Sequence, residues 1–290
     1  MSGAIHPGGS YRPQAEWGGV PAEVRRLETQ AELSWAHEWR VLAEWAPTSG
    51  GAVLDAGCGT GAVTRRLRAR LVDPGTRVVG LDADERLLAV ARVQGSDDGI
   101  RYVAGDLARP PLPAAGFDLV LARYVFQHLA DPVGAARSLA SLVRPGGRLA
   151  VVDVDAGLWG CADPDMSAFS AEAYRALGSA QAADGGDRLV ARRLPRILRA
   201  AGLEEITVRP FAYTSDEVGG VGALGPQLSP ERLLPLVERG VLGLGVYARA
   251  MAAWERFVAL DGFTMLLGFA VGGRVPRAGH TASRPRRSAP

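Results

Sequence analysis

The chain reads as an α/β fold: a mostly parallel sheet of seven strands, with helices on both faces and a helical cap. Three observations point there. From residue 52 to residue 155, short apolar runs of strand length alternate with amphipathic runs of helix length, the pattern of a parallel sheet built from strand–helix–strand units. The stretch VLDAGCGTGAV, residues 53–63, joins a buried strand to a helix through glycines at alternate positions, Gly57, Gly59 and Gly61. Acidic residues then stand at the carboxyl ends of three successive runs, Asp55, Asp82 and Asp106, which is where open α/β sheets bind ligands.

The elements follow in order. Residues 1–10 are rich in Gly and Pro and are expected to be mobile. Residues 21–45 form a helix, with a break possible mid-way; Leu27, Ala31 and Trp35 share a face that Glu38, Leu42 and Trp45 continue. Trp39 and Trp45 are read as packing residues, while Trp17 and Trp35 stay open between packing and an aromatic wall over the site. Strands are expected at 52–55, 77–81, 100–104, 117–122, 149–154, 205–213 and 263–271. RPGGRL, residues 144–149, reads as a turn feeding the fifth strand, and Gly202 as the C-cap of a helix over 189–201. Helical insertions are expected at about 158–187 and 214–262, the latter with helices over 230–241 and 245–260. Three parts result: an N-terminal helical lid (1–47), an α/β core with its two insertions (48–275) and a disordered basic tail (276–290).

The glycine stretch carries the chemistry. Glycine lets the turn adopt positive φ and lets a ligand approach the backbone. The unsatisfied N–H groups of the following helix favour an anion. Asp55, just before the glycines, would repel a pyrophosphate but suits a cationic ligand. This stretch resembles motif I of the class I S-adenosylmethionine-dependent methyltransferases, V-L-D-x-G-x-G-x-G, matched without a gap by Val53, Leu54, Asp55, Gly57, Gly59 and Gly61. The resemblance covers residues 52–155 and implies a Rossmann-like fold with S-adenosylmethionine as cofactor. It also assigns further contacts. Asp82 would hold the ribose hydroxyls, with Ala83 beside the adenine. Asp106 and Leu107, in Gly105-Asp106-Leu107, would meet the adenine edge. Gln30, in VRRLETQ, would reach the methionine end of the cofactor or sit in solvent. Arg123 would cover the methionine or ribose, or form a salt bridge to a nearby acid. His128 would face the methyl group as a base with pKa near neutrality, or cap a helix or pack under the sheet.

Composition narrows the class. The 290 residues carry a net charge of +2, and all 33 basic residues are Arg, which implies no electrostatic commitment to nucleic acid. The two cysteines, Cys58 and Cys161, make no disulfide framework, no metal-ligand spacing occurs, and no apolar run or leader suggests a membrane or export. The expectation is a cytoplasmic monomer or homodimer that methylates a small molecule, a specialised metabolite, at oxygen, nitrogen or carbon. Two other readings share these features. One is a protein that uses S-adenosylmethionine for cyclisation without methyl transfer. The other is an NAD(P)-dependent oxidoreductase, against which Asp55 and the lack of G-x-G-x-x-G spacing both speak.

Overall fold

The structure is a computed structural model and describes residues 10–11, 19–71, 73–96 and 99–277. Trp17, most of the Gly/Pro-rich N-terminal stretch and the tail beyond residue 277 lie outside the described residues.

Parallel strands β1 (Ala52–Ala56), β2 (Arg77–Asp82), β3 (Arg101–Ala104), β4 (Phe117–Arg123) and β5 (Val143–Val154) lie in the order β3-β2-β1-β4-β5. The last strand, β8 (Phe263–Arg274), runs antiparallel between β5 and β7 (Glu204–Thr214). Seven strands are those the sequence predicts. An eighth, β6 (Gly160–Ala162), continues the row of β5 along β8; three residues are too short to show a period. The RPGG turn is also absorbed into a longer strand, since β5 begins at Val143. Its register with β4 shifts between Phe117 and Leu119 to admit the extra residues.

Neighbouring residues along each central strand serve opposite faces. Leu54, Val120, Leu149 and Val151 join one core with α4 (Pro132–Leu142) and α6 (Leu194–Ala200). Val53, Leu119, Leu121, Ala150 and Val152 join the other with α1 (Gly19–Leu42) and α2 (Ala62–Arg70). Both faces are covered, so β1 reads as an unbroken apolar run except for Asp55. Helix α1 is unbroken, and Trp35 and Trp45 are buried in the second core, which settles Trp35 as packing. Asp84 and Asp131 cap α3 (Glu85–Gln94) and α4 with their side chains.

The first insertion forms α5 (Ser167–Ala183); the second forms α7 (Gly225–Leu228), α8 (Leu234–Glu238) and α9 (Leu244–Ala259). The two pack on each other through Ala173, Leu233, Leu236, Leu242 and Ala250, making one cap. Among the described residues no helix is long and apolar enough to cross a membrane.

Candidate active site

A cavity of about 770 Å³ opens at the carboxyl ends of β1, β2 and β4, within the ~300–1,000 Å³ usual for ligand sites. Its floor is the glycine turn. Gly57, Gly59 and Gly61 have φ of 81°, 52° and 73°, in the left-handed region that side chains avoid. The fit is tight as well: a Cβ on Gly57 would run into Val125, and one on Gly61 would lie 2.5 Å from the Tyr102 hydroxyl. The Gly57 and Cys58 N–H groups donate to the Leu81 carbonyl at 2.7 and 3.0 Å. This turn is thereby fastened to the end of β2.

Asp82 strengthens the same joint. One of its oxygens accepts from Gly59 N–H at 2.8 Å and the other from Asp84 N–H at 2.9 Å. Burial raises its pKa against the pull of these bonds. Each oxygen keeps a further lone pair, so the carboxylate can still accept from two hydroxyls. Asp55 is buried at 1% exposure and accepts from Thr64 Oγ1 at 2.7 Å. Burial lifts its pKa to about 6 against the Thr64 hydrogen bond and the Arg123 charge. A carboxylate in this state gains from a cationic ligand. Asp106 is exposed and closes its own turn by accepting from Ala108 N–H at 2.9 Å, above buried Leu107. Asp55, Gly57, Gly59, Asp82, Asp106 and Leu107, with Ala83 and Gln30, line the one cavity; Gly61 stands just behind it at the start of α2. The Gln30 side chain has no protein partner among the described residues, and its carbonyl accepts from Arg123.

Arg123 lines the cavity and forms the salt bridge that is the second of its two expected roles. Its Nε and Nη2 donate to Glu38 at 2.6 and 2.9 Å, and Nη2 also reaches Ser34 Oγ at 2.9 Å. Burial alone would lower its pKa, but the Glu38 carboxylate reverses this and holds the guanidinium charged. Arg123 therefore ties α1 to β4, and its donors toward α1 are spent. The partner is an acid 85 positions away, not one of the neighbours in sequence. Glu38 did carry a signal: a carboxylate on the apolar face of α1 needs a buried cation.

His128 disagrees with one of its two expected readings, that of a near-neutral base. It lies in a short 3₁₀ turn, Phe126–His128, beyond β4 and on the cavity wall. Its Nδ1 faces Ser10 Oγ at 3.1 Å and Gln181 Nε2 at 3.4 Å, and its ring lies 5.2 Å from that of Tyr11. Burial, together with Arg188, Arg26 and Arg232, lowers its pKa to about 3. The imidazole is neutral at working pH and a weak base, not the near-neutral one expected. No motif marks Arg188, in the loop after α5, or Arg232, in the second insertion.

Residues 54–151 match the family of methyltransferase domains. Over 222 residues the chain is 29% identical to an uncharacterised 37.1 kDa protein in transposon TN4556 of Streptomyces fradiae, covering 73% of this chain and 61% of that protein. It is 37% identical over 132 residues to the 2-phytyl-1,4-naphtoquinone methyltransferase of Thermosynechococcus vestitus, covering 44% and 58%. Among solved structures, the phosphoethanolamine N-methyltransferase 2 of Haemonchus contortus, in complex with S-adenosyl-L-methionine, has a TM-score of 0.53 at 19% identity, covering 84% of this chain and 53% of that one.

Residues 54–151 are thus a methyltransferase domain, and the fold around them is that of the S-adenosylmethionine-bound neighbour. The chain spans about three fifths of the length of these two curated relatives. The matched residues run from β1 into β5 and contain the glycine turn, Asp82 and Asp106. Helix α1 and the cap lie outside the match.

Proposed function

We propose that this protein is an S-adenosylmethionine-dependent methyltransferase acting on a small molecule, a specialised metabolite, in the cytoplasm. The observation that carries the reading is the joint between the glycine turn and Asp82, which sets a half-buried carboxylate beside a backbone cradle that side chains would fill. The residues fit the cofactor chemically. Asp55 suits its ammonium, Asp82 its ribose diol, Asp106 and Leu107 its adenine edge, and Gln30 its methionine end. S-adenosylmethionine supplies, when bound, an already activated methyl group.

The chain's own work is then binding and alignment. The turn and Asp82 fix the depth of the adenosyl group, while Val125, Tyr124 and Val154 on the cavity wall limit how the acceptor enters. Holding two reactants in line can supply ~7–11 kcal/mol of barrier reduction. Helix α1 and the cap serve as lid and acceptor wall, excluding water. The naphtoquinone methyltransferase relative supports a small-molecule acceptor with a flat ring. The test is mass spectrometry of candidate acceptors incubated with protein and S-adenosylmethionine. A product heavier by one methylene unit and dependent on both supports the reading; S-adenosylmethionine consumed with no methylated product contradicts it.

A further inference from the structure

Part of the cavity wall is apolar and aromatic. Ala31, Tyr124, Val154, Tyr213 and Leu266 line it there and belong to the core on the α1 side of the sheet, with Trp159 packed against that core. Tyr213 of β7 and Leu266 of β8 are register partners, and side chains directly opposite each other stand on one face of a sheet. Val154 ends β5, and Tyr124 follows β4 with φ of 55°. The next residue, Val125, is the one that packs on Gly57. Tyr213 in turn acts electrostatically on the Tyr124 hydroxyl. The wall thus leads from the cofactor cradle through Tyr124 to Tyr213. Val154, Trp159, Tyr213 and Leu266 all lie outside the matched residues 54–151.

Most polar groups on this wall are already paired. Trp159 Nε1 donates to the Leu267 carbonyl at 3.3 Å. The Tyr124 hydroxyl has Ser34 of α1 as its hydrogen-bonding neighbour. Tyr213 is different. It is only 6% exposed, yet its hydroxyl has no hydrogen-bond partner among the described residues. That oxygen is not sealed within the protein either, and the open space its side chain borders is the cavity. Burial pushes its pKa up to about 12, with the Arg123 charge drawing it back and the Glu38 charge adding to the rise. The hydroxyl therefore stays protonated. The cation is the stronger of the two influences, so an electron-rich ligand atom is favoured beside it. The Arg123–Glu38 pair is neutral as a whole, so it offers no net charge to an ionised ligand. A ligand that fills this wall displaces water from the hydroxyl, and the O–H must then meet an acceptor atom or lose a hydrogen bond outright.

We propose that the Tyr213 hydroxyl donates to a carbonyl oxygen of the methyl acceptor, whose flat ring lies against Tyr124, Trp159 and Leu266, so that the substrate is an uncharged aromatic carbonyl compound. This rests on the methyltransferase reading and names its substrate class. Tyr213 sets specificity in this role: it orients the acceptor and takes no proton from the methylated atom.

The test is ligand-observed NMR titration of the full chain saturated with S-adenosylhomocysteine. The probes are pairs of similar shape that differ in the carbonyl: 4-hydroxyacetophenone with 4-ethylphenol, 1-tetralone with tetralin, and 4-chromanone with chroman. At least one carbonyl probe should bind the wild type. Its affinity relative to its partner should be about tenfold higher in the wild type than in Tyr213→Phe and Tyr213→Leu, the size of one hydrogen bond left unmade. Affinity for S-adenosylhomocysteine should stay within about twofold of wild type in both variants. Trp159→Ala should instead weaken both members of a pair alike, as loss of an apolar wall does. A merely structural Tyr213 would lower stability or weaken both members together and leave their ratio unmoved. The proposal is overturned if no carbonyl probe binds. It is overturned equally if the ratio in Tyr213→Phe stays within about twofold of wild type, or if the Tyr213 variants lose the cofactor product instead. Failure of the wild type to bind S-adenosylhomocysteine, read before any probe is added, rejects the methyltransferase reading itself.

Discussion

The Arg123 guanidinium at the end of β4 and the Glu38 carboxylate of α1 close a two-point ion pair, Nε to Oε2 at 2.6 Å and Nη2 to Oε1 at 2.9 Å, with side chains only 6% and 0% exposed. Ser34 bridges it, donating to Glu38 at 2.5 Å, and the Tyr124 ring lies 4.2 Å beneath the guanidinium. Such a pair adds little net stability over an apolar pair but is costly to break on one side. Its use here is positional: it fixes α1, and with it Leu27 and Gln30, over the glycine turn.

Glu38→Gln should therefore destabilise the fold by ~3–5 kcal/mol, because it strands a buried guanidinium. The double variant Glu38→Leu with Arg123→Met should recover most of that loss. Denaturant unfolding of the three proteins checks this; a Glu38→Gln variant as stable as wild type would show that the pair is not formed.

Asp82→Ala should weaken cofactor binding by about tenfold or more, since each hydrogen bond to a charged group contributes ~1.5–3 kcal/mol. The loss has two sources, the ribose contacts and the freed N–H groups of Gly59 and Asp84. Amide hydrogen exchange should accordingly quicken at Gly59 even without ligand. Unchanged affinity in a folded variant would displace the ribose from β2.

Asp55 predicts a pH dependence for the cofactor. Its pKa in the free protein is about 6, and a bound ammonium favours the ionised form. Affinity for S-adenosylhomocysteine should fall as pH drops from 7 to 5 and level off above about 6.5, and Asp55→Asn should flatten the curve. Titration calorimetry across that range gives the answer, and an equally steep curve in the variant would assign the dependence to another group.

Asp153 and His128 act on stability with opposite signs. Burial pushes Asp153, which accepts from Gln127 and Val154 N–H groups at 3.0 and 2.9 Å, up to about 7. The folded state holds its proton more tightly than the unfolded chain, so its contribution falls as pH rises from about 4 to about 7. His128, lowered to about 3, leaves the unfolded chain binding the extra proton, so its contribution is lost as pH falls below about 6.5. Relative to wild type, Asp153→Asn should gain stability on going from pH 5 to 7, and His128→Asn should gain it on going from pH 7 to 5. Melting temperatures at three pH values decide both, and pH-independent differences would contradict them.

What the sequence made legible were features that local rules write into adjacent residues. Apolar runs with both faces covered mark β1, β4 and β5, and Gly57 and Gly61 must be small because Val125 and Tyr102 pack against them. Asp82 was legible as a strand-end acid, though not as the clamp on Gly59. The ion pair of Glu38 with Arg123 spans 85 positions, and only the misplaced charge on the apolar face of α1 hinted at it. The low basicity of His128 was out of reach, since it depends on burial and on Arg26, Arg188 and Arg232 brought from three remote segments.

The central claim is that the glycine turn and its acidic residues bind S-adenosylmethionine. Calorimetry of the wild-type chain with S-adenosylmethionine, S-adenosylhomocysteine, NAD and NADP tests it most directly. The account predicts one-to-one binding of both S-adenosyl ligands in the micromolar range, about −8 kcal/mol, and no heat from either dinucleotide. Binding of NAD or NADP with none of the S-adenosyl ligands would contradict it.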